Sequence, residues 1–233
     1  MPAAIGPERM PGRDSGDGGP RYSLVIFDFD GTLANSGDWF LSIAGELARR
    51  FRFREPGADA IDMLRGLSSR EVIRYLGIPR WKLPAISRYV RTLLAEQIDR
   101  IALFEGVEAL IGTLAANGVR IAIVSSNAEN NVRAVLGPAN VARIETFACG
   151  ASLFGKARLF RRVLRNAGLA SHQVISIGDE TRDITAARKT GITAGAVFWG
   201  YASREALMRL EPDAVFEAPD DVVRLVLSED GGR

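Results

Sequence analysis

The sequence predicts an α/β protein: a Rossmann-like core on a parallel sheet, with a helical cap inserted after the first strand. Three observations carry that expectation. Short and almost wholly apolar runs, Leu24–Phe27, Arg120–Val124 and Val174–Ile177, each stop abruptly at polar residues. Strands buried on both faces of a parallel sheet read that way. Stretches with apolar residues three and four apart separate the later runs, as helices covering such a sheet require. Residues 33–104 hold several helical patterns and no convincing strand, a block too long for a plain crossover.

In chain order, residues 1–20 carry four prolines and five glycines with almost no core former, and are expected to be a mobile tail. Strand one covers Tyr22–Phe27. Thr32 can cap whatever helix follows. Trp39, Phe40, Ile43, Leu47 and Phe51 then mark a helix that Pro56-Gly57 breaks. Ile61 and Leu64 suggest a short helix. Ser68 and Glu71 have capping-box spacing before Val72, Ile73 and Leu76. Trp81–Ile101 is a longer helical pattern, and it closes an all-helical cap over residues 34–104. The core resumes over residues 105–233. Gly106–Asn117 is a helix with Gly118 at its C′ position, Arg120–Val124 a strand, and Ala128–Leu136 a helix ending at Gly137-Pro138. Thr146–Cys149 is a short strand, Lys156–Asn166 a helix and Val174–Ile177 a strand. A helix to Lys189, a strand at Gly195–Trp199, a helix at Ala202–Leu210, a strand at Ala214–Phe216 and a helix at Asp220–Leu227 complete the alternation.

The 233 residues suffice for one core with a small second domain. A net charge of +2 gives no basic field for a nucleic acid partner. The sequence shows neither an apolar run of membrane-spanning length nor a signal peptide. A single cysteine, Cys149, forms no intrachain disulfide and fits a reducing cytoplasm. Only three of the 30 basic residues are lysines, Lys82, Lys156 and Lys189, so a lysine in a useful place stands out.

The chemistry gathers where the strands end. Parallel strands bring their carboxyl ends to one sheet edge, where α/β proteins bind ligands. Asp28/Asp30, Ser125/Asn127 and Asp179/Asp183 would converge there. Asp28 and Asp30 repel each other unless a cation intervenes or one holds a proton. Gly31 permits a positive φ or a close backbone approach. An all-oxygen cluster suits Mg2+ at about 2.1 Å, shared with a substrate phosphate. Ser125 can donate to phosphoryl oxygens, Ser126 and Asn127 beside it are candidate substrate contacts, and Lys156 can neutralise charge. Plainer readings stand beside these. Asp-Gly is a common turn, Ser125 a strand-end cap, Lys156 a surface helix residue and Asp183 a first-turn carboxylate. Arg65 is either a solvated cap residue or a cap contact to an anionic substrate.

The segments DFDGT, VSSN, a single Lys and GDETRD resemble, in order and spacing, the four motifs of the haloacid dehalogenase superfamily. The helical insert resembles its cap, and Val197–Tyr201 through Asp213 is similar to the phosphoglycolate phosphatase branch. The resemblance implies Asp28 as nucleophile and Asp30 as general acid, then base. It implies Ser125 binding the phosphoryl oxygen and Lys156 stabilising charge. Mg2+ would be held by Asp28, Asp179 and the backbone carbonyl of Asp30, with Asp183 in its shell. The expected activity is Mg2+-dependent hydrolysis of a small organic phosphate through an aspartyl-phosphate, with 2-phosphoglycolate favoured by resemblance alone. A phosphosugar mutase, or a regulatory binding module without turnover, are the alternatives. Oligomeric state is open.

Overall fold

The computed structural model describes residues 19–150 and 155–228. The expected tail lies outside the described residues apart from its last two positions.

The chain runs β1 (Leu24–Phe27), β2 (Ala34–Asn35), α1 (Gly37–Phe51), α2 (Ile61–Arg65), α3 (Ser69–Tyr75), α4 (Leu83–Glu96) and β3 (Ala102–Leu103). It continues with α5 (Val107–Ala116), β4 (Arg120–Val124), α6 (Glu129–Val141), β5 (Thr146–Ala148), α7 (Lys156–Ala167) and β6 (Val174–Gly178). The last elements are α8 (Thr181–Arg188), β7 (Thr193–Val197), α9 (Arg204–Met208), β8 (Ala214–Phe216) and α10 (Pro219–Leu227). Six strands form one sheet in the order β5-β4-β1-β6-β7-β8, and every neighbour is parallel.

All four residues of β1 are buried. Alternation along the strand divides them between the two faces. Val25 and Phe27 join a cluster with Val107, Leu110, Val222 and Val226 of α5 and α10. Leu24 and Ile26 join one with Phe160, Val163, Ile184 and Leu207 of α7, α8 and α9. The sheet is thus covered on both sides, which is why its strands read as continuous apolar runs. Truncating a buried residue such as Ile26 to Ala would cost about 2–5 kcal/mol.

The chain winds outward from β1 to β5, then returns to β6 on the other side of β1. The strand order reverses at the β1–β6 pair, and such a reversal opens a crevice beyond the carboxyl ends. Phe27 pairs with Ile177, so Asp28 and Asp179 emerge side by side at that crevice.

The structure departs from expectation in four places. β2 and β3 pair antiparallel where the helical insert leaves and rejoins the core; two residues per strand are too few to show a period. Thr32 caps no helix, because α1 starts only at Gly37. α6 breaks at Gly137 as expected, where φ is +72° and ψ 161°, but a further helical stretch follows the break and runs to Val141. β7 begins two residues earlier than its apolar run suggests, at Thr193. Gly195 lies mid-strand because a Cβ there would stand 2.8 Å from the Phe216 ring.

Candidate active site

Asp28 leaves β1 with its carboxylate buried. Oδ1 accepts the Phe29 N–H at 2.8 Å. Oδ2 faces Lys156 Nζ at 2.6 Å. Lys156 is the first residue of α7 and is itself buried, 6 % exposed. It also pairs with Asp183 Oδ1, so one ammonium spans two carboxylates that are far apart in sequence. Asp30 turns away from this pair. Ser36 Oγ donates to its Oδ1 at 2.9 Å, and Asn127 Nδ2 to its Oδ2 at 3.1 Å.

Asp179, the first residue past β6, accepts Thr32 Oγ1 on Oδ1 at 2.8 Å and the Tyr201 N–H on Oδ2 at 2.9 Å. The close approach needs glycine twice. A Cβ on Gly31, whose φ is +79°, would lie 2.3 Å from Asp179 Oδ2. One on Gly200 would lie 2.2 Å from Asp179 Cβ. Asp183, in the first turn of α8, accepts the Glu180 N–H on Oδ2 at 3.0 Å. It is therefore both a helix-capping carboxylate and a partner of Lys156.

Ser125 is buried and its Oγ accepts the Asn127 N–H at 3.0 Å. Ser126 offers its carbonyl to Arg91 Nε of α4 at 2.8 Å. Arg65 does not join the cluster. Its Nε and Nη2 donate to the carbonyls of Tyr201 and Gly200 at 3.0 and 3.3 Å, and its own carbonyl accepts the Ser203 N–H at 2.8 Å. Arg65 is exposed, in keeping with the solvated reading, and these bonds also clasp the insert to the core.

A family model described as haloacid dehalogenase-like hydrolase matches residues 25–197, most of the chain. The chain belongs to this family. A phosphoglycolate phosphatase of Synechococcus elongatus is 33% identical over 208 residues, which is 87% of this chain and 96% of that one. A tyrosine-protein kinase, PtkA, of Mycobacterium tuberculosis is 26% identical over 86% of this chain and 70% of its own. A haloacid dehalogenase-like family hydrolase of Streptococcus pneumoniae shares the fold at a TM-score of 0.72 with 21% identity, over 87% of this chain and 97% of that one. This hydrolase falls in the phosphoglycolate phosphatase-like branch and is a phosphatase.

The hydrolase concentrates negative charge at its site. Burial first, then the charge of Asp28, pushes the Asp30 carboxyl up to about 6 against the hydrogen bonds from Ser36 and Asn127. Burial and then Glu180 and Asp28 hold Asp179 well above the carboxylate range. Burial also raises Asp183, with Lys156 opposing. Burial alone would lower the Lys156 ammonium, but Asp183 and Asp28 outweigh it. Asp28, Asp179 and Asp183 place one oxygen each within 4.8 Å of one another. Asp28 Oδ2 is buried, with Lys156 Nζ at 2.6 Å and Arg182 Nη2 at 3.9 Å, so three buried acids share these two cations with Asp30 and Glu180. Buried, all-oxygen and deficient in positive charge, this donor set fits a hard divalent cation.

Several members of the site escaped the sequence reading. Ser36 and Tyr201 form a hydroxyl pair at 2.5 Å beneath Asp30. Trp199 Nε1 fixes the Thr32 carbonyl at 3.0 Å. Arg182 lies inside GDETRD, but nothing in that string says its side chain turns inward.

Proposed function

We propose that this phosphatase hydrolyses a small organic phosphomonoester, with 2-phosphoglycolate the favoured substrate, through a phosphorylated Asp28. The observation that carries the reading is the pairing of two unlike carboxylates at one strand end. Asp28 faces the Lys156 ammonium at 2.6 Å. Asp30, two residues on, holds a proton up to about pH 6.

In the first step a carboxylate oxygen of Asp28 attacks phosphorus. The ester P–O bond breaks, and Asp30 gives its proton to the departing alkoxide. In the second step Asp30, now ionised, takes a proton from water as that water attacks the phosphoryl group. Phosphate leaves and Asp28 is regenerated. Ser125 donates to a phosphoryl oxygen and Lys156 offsets the charge developing there; Ser126 and Asn127 line the approach. Asp28, Asp179, the backbone carbonyl of Asp30 and Asp183 would hold Mg2+. When bound, the ion supplies charge neutralisation between carboxylates and phosphoryl oxygens.

The core residues named above all serve the phosphoryl group and the proposed metal, and none of them is assigned to recognising the organic part of a substrate. We assign that task to residues 34–104, acting as a lid over the core of residues 21–33 and 105–233. Hinges fit the stem where Ala34 pairs with Leu103 and Gly106, whose φ is +84°. Among the described residues no helix is long and apolar enough to cross a membrane. The lone Cys149 supports a cytoplasmic setting. The test is a panel of phosphate esters assayed for free phosphate with Mg2+. Release from phosphoglycolate above other esters supports the reading. Transfer to a second hydroxyl without release would make the protein a mutase or kinase.

A further inference from the structure

Arg182 is the second residue of α8 and belongs to none of the roles above. Its side chain is turned inward, only 17% exposed. Nη2 donates to Glu180 Oε1 at 2.8 Å and lies 3.9 Å from Asp28 Oδ2. Its Nε is buried and makes no hydrogen bond with any described residue. A buried donor without an acceptor is costly and calls for an explanation. The explanation offered by its position is an acceptor that arrives with substrate, since the guanidinium sits beside the proposed nucleophile.

The other oxygen of Glu180 leads outward. Glu180 Oε2 accepts Ser69 Oγ at 2.6 Å, and Ser69 opens α3 of the insert. Glu180 is therefore held from both sides, by the insert through one oxygen and by Arg182 through the other. Neighbouring clasps, Ser203 N to the Arg65 carbonyl and Arg209 Nη2 to the Gly66 carbonyl at 2.7 Å, dock the same loop on the core.

We propose that Arg182 is a second phosphoryl-binding cation beside Lys156, and that docking of the insert sets its position through Ser69 and Glu180. The inference rests on the phosphatase reading. The planar guanidinium fork suits two phosphoryl oxygens at once, which the Lys156 ammonium does not. Glu180 and Ser69 are positioning residues: Glu180 holds the fork, and Ser69 holds Glu180. Docking of the insert thus completes the charge complement of the core site.

The test uses the full chain with Mg2+, p-nitrophenyl phosphate as the ester and inorganic phosphate as the inhibitor. Arg182→Ala should weaken inhibition by phosphate about tenfold and lower kcat/KM by about 10²-fold. Arg182→Lys should recover part of both, because charge returns without the fork. Ser69→Ala should weaken phosphate about threefold in the wild-type background and not at all in the Arg182→Ala background. If Arg182→Ala does not fold, Arg182→Gln takes its place in the same comparison. An Arg182 variant that lowers Tm but leaves phosphate inhibition and kcat/KM unchanged would overturn the proposal, leaving Arg182 as a counter-ion only. Equal Ser69→Ala effects in both backgrounds would overturn the coupling. A wild-type protein that neither binds phosphate nor releases it from any ester would overturn the phosphatase reading itself, and this inference with it.

Discussion

Asp28 and Asp30 are the same residue type two positions apart, and the fold gives them opposite surroundings. Lys156 Nζ stands 2.6 Å from Asp28 Oδ2. Asp30 takes its hydrogen bonds from Ser36 and Asn127, and burial, then the charge of Asp28, push it up to about 6. The proposed division of roles between nucleophile and acid rests on these two environments. Asp28→Asn should abolish turnover, a loss on the order of 10³-fold or more. Tm should hold, because the change removes one charge from a crowded acidic cluster. Wild-type kcat in the pure variant would remove Asp28 from the chemistry. At this scale the sequence was legible where chemistry sits at the end of an apolar run, as for Asp28 and Asp179, or where a residue type is scarce, as for Lys156. Ser36, Tyr201 and Arg182 were not. Ser36 occupies the N-cap of α1 without capping it, because its hydroxyl goes to Asp30. Tyr201 reaches Ser36 across 165 positions of chain, and no local pattern encodes that contact.

The decisive elements are the loops that follow the strands. β1, β4 and β6 deliver Asp28, Ser125 and Asp179 to one edge, and the Gly200–Tyr201 loop closes beneath Asp179. Arg65 grips that loop through two carbonyls. Arg65→Ala should therefore lower kcat/KM for phosphoglycolate and p-nitrophenyl phosphate by the same factor, about tenfold, as loss of docking would. A loss confined to phosphoglycolate would return Arg65 to direct contact with a second anionic group. The six core strands were readable because each is apolar or bounded by turn residues. The β2–β3 stem was not, since its hydrogen bonds join residues on either side of the whole insert. The clasps through Arg65, Ser69 and Arg209 were also hidden, because polar side chains outside the core follow no period.

Over the whole molecule, the site is a local cost to stability that the proposed cation would offset. Five carboxylates, Asp28, Asp30, Asp179, Glu180 and Asp183, gather around two cations, Lys156 and Arg182. Asp30 binds its proton more tightly folded, about 6 against 3.8. The stability tied to that proton is full below the unfolded value and is lost as pH rises through about 6, on the order of 3 kcal/mol. Asp179 and Asp183 shift in the same direction. In EDTA, Tm should fall between pH 5 and pH 8, and Mg2+ should restore more of it at pH 8 than at pH 5. A metal-free Tm that rises over that range would contradict the clustering of ionised acids. The central claim is that one carboxylate carries the phosphoryl group, and acid-quenching the protein during turnover of a phosphate ester with Mg2+ tests it most directly. Borohydride reduction of the quenched protein, followed by mass analysis of the peptide spanning Leu24–Thr32, should convert Asp28 alone to homoserine. Conversion at another residue, or none while phosphate is being released, would contradict the account.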